Sequence, residues 1–285
     1  MKELIKKVIN NPSRVPHYIY PYIDKIINLS NYRKSKSIAD EPWNYLIILD
    51  ACRYDAFKYI NYLEGELKYI YSKGSSTPEF LEKNFLDKNR NKKFKNIVYI
   101  TANPFVNKML KNMFHKIYPI WKYGWNEEHN TVLPKTVYKE SLKIINKHRN
   151  KRIIIHFMQP HHPFLIANKE FNTTGFRENR KAVINNKSKG KDITWADLLS
   201  KGEIKQDMVI KYYLINLKIV LLWVNLLINS LNGRIIITSD HGNLFGEISH
   251  PLFHYRIYGH PSHFHIDTLV KVPWFIVDTS NKVID

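Results

Sequence analysis

The sequence predicts an α/β protein, a three-layer α/β/α sandwich around a mostly parallel sheet. Three observations carry that prediction. Short apolar runs recur at 45–50, 96–101, 152–157, 235–237 and 272–277, each the size of a buried strand. Segments with helical spacing alternate with them, which implies a largely parallel sheet covered on both faces. Several runs also stop on chemistry-bearing side chains, and open α/β sheets bind ligands beyond the carboxyl ends of their strands.

Taken in order, residues 1–42 read as two helices with a polar break, the second over 18–29, closed by Glu41-Pro42. They form an N-terminal segment expected to pack on a single α/β domain at 43–285. The run 45–50 ends in Asp50, and 55–63 is expected to be helical. Ser72-Lys-Gly-Ser75-Ser76-Thr77-Pro78 is a loop whose proline suits the first turn of a helix over 79–86. Strand 96–101 leads into a helix at 105–114, and 121–130 is an aromatic loop. The amphipathic segment 134–147 is helical. Strand 152–157 runs into Gln159-Pro160-His161-His162-Pro163-Phe164. Residues 168–203 are lysine-rich with little periodicity and read as a polar insertion. A long helix over 204–231, the strand at 235–237 with Asp240-His241-Gly242, and the strand at 272–277 complete the order.

Composition bounds the function. The chain has 285 residues, 44% of them hydrophobic, enough for a sizeable core. The single cysteine, Cys52, excludes an internal disulfide framework, and no secretory h-region is evident. Both suggest a cytoplasmic protein. Residues 4, 5, 8 and 9 give the first turns an apolar face with lysines opposite, so contact with an anionic inner membrane surface is a further expectation. The apolar stretch 212–228 is interrupted by Asn216, Lys218 and Asn225 and reads as a core helix. A net charge of +19 favours anionic partners. Lysine is abundant throughout, so part of that charge is compositional. Nucleic acid is not the expected partner, because no basic and aromatic interleaving of a known module is present.

Asp50, the Ser75-Ser76-Thr77 loop, His161-His162, Asp240-His241 and His260 all fall at one expected sheet edge. Each has a bland explanation: Asp50 or the hydroxyls as helix caps, the histidines and the Asp-His pair as turns. Their coincidence is harder to explain so. Oxygen donors with one imidazole suit one divalent cation, Mn, Mg, Ca or Zn. Such an ion could hold a phosphoryl or sulfuryl oxygen and activate a hydroxyl.

Together these segments resemble the alkaline phosphatase and sulfatase superfamily, closest to its sulfatase-like hydrolases, over about residues 43–278. The resemblance rests on Asp50-Ala-Cys-Arg53-Tyr-Asp55, on Ser76-Thr77-Pro78, and on the segment Trp121 to Pro134. It also rests on His156-Phe-Met-Gln-Pro-His161-His-Pro163-Phe164, on Thr238-Ser-Asp240-His241-Gly242 through Gly246-Glu247, and on Tyr258-Gly-His260-Pro with Val272-Pro-Trp274. It implies that Asp50, Asp240 and His241 hold the metal, with Ser76 bridging metal and substrate as nucleophile. Ser75 and Thr77 remain open for that role. Arg53 is implied to fix the anion or support the metal loop, and His161 and His260 to contact the ester or the leaving oxygen.

The sequence departs from two branches. Sulfatases convert a cysteine in Cys-x-Pro-Ser-Arg; here that place is Ser76, and Cys52 lies in another motif. Two-zinc phosphatases carry an Asp-x-x-x-His pair before the Asp-His motif, yet no histidine lies between His162 and Asp240. The expectation is a one-metal hydrolase of sulfate or phosphate esters. Its alternatives are a phosphoglycerol- or phosphoethanolamine-type transferase acting on cell-surface glycan or glycolipid, and a non-catalytic polyanion-binding relative.

Overall fold

The computed structural model describes residues 23–26, 28–38, 40–86, 91–167, 173, 177–185, 194–249 and 256–280. The apolar face expected at residues 4–9 lies outside them, as does most of the 168–176 stretch. Seven strands form the main sheet: β1 (Tyr45–Leu49), β2 (Glu66–Tyr71), β3 (Ile97–Thr101), β4 (Lys116–Pro119), β7 (Arg152–Phe157), β8 (Arg234–Thr238) and β11 (Lys271–Asp278). Two small hairpins pair β5 (Trp125–Asn126) with β6 (Thr131–Val132), and β9 (Leu244–Ser249) with β10 (Arg256–Gly259). The sheet order is β2-β11-β8-β1-β7-β3-β4. β8, β1, β7, β3 and β4 run parallel, and β11 is antiparallel to both neighbours. This is the mostly parallel three-layer sandwich expected.

The layers follow from the two-residue period of a strand. Ile47, Leu49, Ile153, Ile155, Ile235 and Ile237 face one core, and Leu46, Ile48, Ile154, Ile236 and Tyr99 face the other. Five helices position the site: α1 (Tyr54–Ile60), α2 (Thr77–Phe85), α3 (Pro104–Met109), α4 (Pro134–Lys147) and α5 (Gln206–Asn229). The first core takes apolar side chains of α4 and α5; the second takes Phe80, Leu81 and Phe85 of α2 and Val106 of α3. Ile236, 0% exposed in the second core, is flanked by β1 and β11. Ile236→Ala is expected to cost about 3 kcal/mol, read as a lower urea midpoint at unchanged slope.

α5 is long and apolar enough to cross a membrane by length and composition. In this fold Val209, Tyr213, Leu217, Val220, Leu221, Val224 and Leu227 pack into the core. Its buried polar side chains are used as well. The Tyr213 hydroxyl donates to Ala51 O at 2.8 Å and accepts from Arg53 N–H at 2.9 Å. Asn216 receives Leu165 N–H and donates towards the carbonyls of Pro160, His161 and Pro163. One apolar helix thus grips the loops after β1 and β7.

Structure differs from expectation mainly at the margins. β2 is an edge strand whose side chains are mostly exposed or half-buried, so no apolar run marks it. The aromatic loop contains a short helix, Ile120–Tyr123, and β5. The 168–203 stretch contains helices Arg177–Asn185 and Trp195–Ser200, the second opened by a Thr194-Asp197 capping box.

Candidate active site

Asp50 follows β1, Asp240 and His241 follow β8, His156 lies in β7, and Thr77 opens α2. All are buried: Asp50 is 1% exposed, Asp240, His241 and His156 are 0%, and Thr77 is 3%. Thr77 Oγ1 donates to Asp240 Oδ2 at 2.6 Å and lies 3.2 Å from His241 Nε2. His241 Nε2 lies 3.7 Å from Asp50 Oδ1 and 3.4 Å from Asp240 Oδ2.

Backbone geometry holds the carboxylates in place. Asp240 Oδ1 accepts Ala51 N–H at 3.1 Å and His241 N–H at 3.0 Å. Ala51 sits at φ 59, a left-handed conformation that costs a non-glycine residue about 1–2 kcal/mol. The Asp240 bond and the Cys52 N–H to Ser239 Oγ bond at 2.8 Å offset that cost. Gly242 is required by close approach: a Cβ there would lie 2.0 Å from Thr268 O. Asn103 caps α3 through Phe105 N–H at 2.9 Å, and its amide donates to Asp50 Oδ2 at 2.7 Å.

The donor set fits a cation. His241 Nδ1 lies 2.7 Å from Gly242 O. A proton on Nδ1 satisfies that carbonyl and leaves the Nε2 lone pair facing Asp50, Asp240 and Thr77. Asp50 Oδ1 and His156 Nε2 are buried and lack a hydrogen-bond partner. Asp50, His156 and Asp240 form a candidate metal-binding triad, each offering one ligand atom within 4.8 Å of the others. Burial and the Asp240 charge push the Asp50 carboxyl well above the usual range, against the Asn103 bond. Burial also opposes ionisation of Asp240, but His241, His156, the Thr77 hydroxyl and Ala51 N–H outweigh it and hold that carboxyl low. Burial lowers His156 to about 4, so it is neutral near pH 7.

The expected residues fall into two groups. Asp50, Asp240 and His241 converge, and the rings of His241 and His260 lie 4.3 Å apart. His161 Nε2 lies 2.9 Å from His260 Nε2, and His161 N–H donates to Asp50 O at 3.0 Å. Ser76 and Arg53 point elsewhere. The Ser76 hydroxyl pairs with Ser262 Oγ at 2.6 Å, and the donor set receives Thr77 instead. Arg53 forks Asp55 at 2.9 and 2.6 Å and also pairs with Glu247. Burial pulls its guanidinium pKa down, but those carboxylates outweigh burial and raise it. It joins the loop after β1 to β9. His156 and Asn103 were not among the expected residues, although each ends or follows a strand as Asp50 does.

His162 is a further buried imidazole, 5% exposed, with Nε2 2.8 Å from Thr173 Oγ1. Burial and His161 lower its pKa to about 3. The unfolded chain protonates near 6.5 while the fold resists until about 3, so stability present above 6.5 is lost as pH falls through that window. The thermal midpoint is expected to drop across it, and His162→Asn to flatten the drop.

The parallel sheet between two helical layers is an alkaline phosphatase-like fold. No family model matches the chain, and no curated protein does. Among solved structures it is similar to the integral membrane lipooligosaccharide phosphoethanolamine transferase A (EptA) of Neisseria meningitidis. The TM-score is 0.51 at 14% identity, over 98% of this chain and 59% of that one. The chain therefore spans about three fifths of that protein's length. The soluble domain of the same enzyme matches with TM-score 0.50 at 13% identity, over 86% of this chain and 80% of that one. The C-terminal periplasmic domain of phosphoethanolamine transferase EptC from Campylobacter jejuni matches with TM-score 0.50 at 14% identity, over 85% and 82%. These matches overturn the cytoplasmic location expected from the sequence, since one is an integral membrane protein and another a periplasmic domain. A single cysteine and an unremarkable start are silent on compartment.

Proposed function

We propose that the protein is a metal-dependent phosphoryl-transfer enzyme with Thr77 as nucleophile. One observation carries this: Thr77 Oγ1 already lies within the donor set, 2.6 Å from Asp240 Oδ2 and 3.2 Å from His241 Nε2. Asp50, Asp240, His241 and Thr77 would hold one divalent cation, with His156 at its inner wall. Such a cation lowers the pKa of the hydroxyl and neutralises the oxygens of a phosphate ester.

The chain's own residues supply the rest. Thr77 loses its hydroxyl proton to solvent, its Oγ attacks phosphorus, the bond to the leaving alcohol breaks, and a phosphothreonine forms. The His161–His260 pair faces the same centre and provides the proton taken up by the leaving oxygen. Water or an acceptor alcohol then attacks phosphorus and releases Thr77. Thr77 is the first residue of α2, so the positive end of that helix would favour an anion held by Thr77.

The substrate class is an anionic ester carried by a glycan or glycolipid. The net charge of +19 and the phosphoethanolamine transferases among the structural neighbours support this. A panel of aryl phosphate monoesters, diesters and sulfate esters, run with and without an acceptor alcohol, tests it. Phosphodiester turnover with the phosphoryl group captured by the acceptor is the expected outcome. Turnover of sulfate esters alone would contradict the phosphoryl assignment, and transfer to water alone, giving a phosphate monoester from a diester or free phosphate from a monoester, would make the enzyme a hydrolase.

A further inference from the structure

Ser76-Thr77-Pro78-Glu79 spells a capping box, in which the Ser76 hydroxyl and the Glu79 carboxylate would close the start of α2 on themselves. The box does not close. Ser76 makes no side-chain cap bond. Glu79 reaches past it, and its Oε2 accepts Ser75 N–H at 2.9 Å, lies 3.0 Å from Ser75 Oγ, and accepts His263 N–H at 3.0 Å. We propose that Glu79, acting with Ser75, is a positioning residue that locks the Thr77 loop to the loop carrying His260. The proposal rests on the phosphoryl-transfer reading above.

The lock is a set of bonds between two short segments. Ser75 Oγ lies 2.8 Å from Pro261 O and accepts Phe264 N–H at 3.0 Å. Ser76 Oγ meets Ser262 Oγ at 2.6 Å. Residues 261–264 are thus stitched to 75–79 immediately after His260, whose ring faces His241 and whose Nε2 meets His161. His260 has its place over the donor set because the next four residues cannot move away from Thr77.

A carboxylate 1% exposed needs cationic company. Glu79 Oε1 has Lys83 Nζ one turn along α2, His263 Nδ1 at 3.0 Å and His265 Nε2 at 3.4 Å. Burial opposes its ionisation, but His265, Lys83 and Ser75 N–H prevail and hold it at about 2. His265 is braced from the far side: Asp24 accepts its N–H at 2.9 Å, and the Tyr32 ring stacks on it at 3.8 Å. The N-terminal segment thereby buttresses the histidine loop. None of these groups needs to touch a substrate.

Full-length, metal-loaded Glu79→Gln, Ser75→Ala and the double variant are compared on aryl phosphate esters of graded leaving-group pKa. Each single variant is expected to lose about 100-fold in kcat, the scale for a misplacement near 1 Å, at nearly constant KM. Metal content stays unchanged, and rate falls more steeply with leaving-group pKa because the proton donor is displaced. The double variant is no worse than the worse single one, since both cut the same lock. Wild-type kcat per metal-loaded chain in folded Ser75→Ala, or additive losses, would overturn the proposal. If Glu79→Gln does not fold, Ser75→Ala decides alone, since Glu79 keeps Lys83 and His263. A crystal structure of Ser75→Ala supplies an arm independent of turnover. His260 displaced from His161 supports the lock, and an unmoved His260 sinks it. Wild-type inactivity on every ester would sink the proposed function instead, leaving the crystal comparison to decide the lock.

Discussion

Thr77→Ala is expected to lower turnover of an aryl phosphate ester by about 10⁴-fold or more, the scale seen when a nucleophile that works with its partners is removed. Ser76→Ala is expected to stay within about tenfold of wild type, since it loses one hydrogen bond worth roughly 1 kcal/mol. The contrast follows from two neighbouring hydroxyls. Ser76 is the extended residue before α2, at φ −150 and ψ 157, and its side chain meets Ser262. Thr77 begins the helix, and its hydroxyl meets Asp240 and His241. Thr77→Ser keeps an attacking oxygen and should retain measurable turnover. A Ser76→Ala enzyme that is dead beside an active Thr77→Ala would return the role to Ser76.

Asp240→Ala is expected to abolish both turnover and stable metal retention, weakening the metal at least about 100-fold. Asp240 acts through both oxygens: Oδ2 takes the Thr77 hydroxyl, and Oδ1 pins Ala51 in its left-handed conformation. Removing it takes away a ligand and frees the loop that carries Asp50. Chelation of the wild-type protein should reproduce the loss, and adding back a divalent cation should reverse it. Full turnover in protein shown by elemental analysis to be stripped of metal would contradict the account.

The centre of the fold was legible because β1, β3, β7 and β8 are buried on both faces and so are apolar over most of their length. β2 was not, since an edge strand can carry exposed Glu66, Lys68 and Tyr69 without penalty. Asp50, Asp240 and His241 could be found because acid and imidazole side chains at strand ends are unusual. Asn103 was hidden by its second task as the cap of α3, which explains an Asn-Pro pair completely. Glu79 was hidden in the same way, inside a capping-box spelling. Ser75, Ser76 and Thr77 could not be ordered from sequence, because the choice depends on where α2 begins and thus which side chain turns inward. Lys218 and the buried Asn216 marked α5 as a core helix despite its length.

The most direct test of the central claim is the mass of the active-site peptide. Enzyme quenched in acid during turnover of an aryl phosphodiester is digested and mapped by tandem mass spectrometry. A phosphoryl adduct on Thr77, absent after chelation and absent in Thr77→Ala, is the predicted result. An adduct on Ser75 or Ser76, or steady turnover with no adduct under conditions that slow its breakdown, would contradict it.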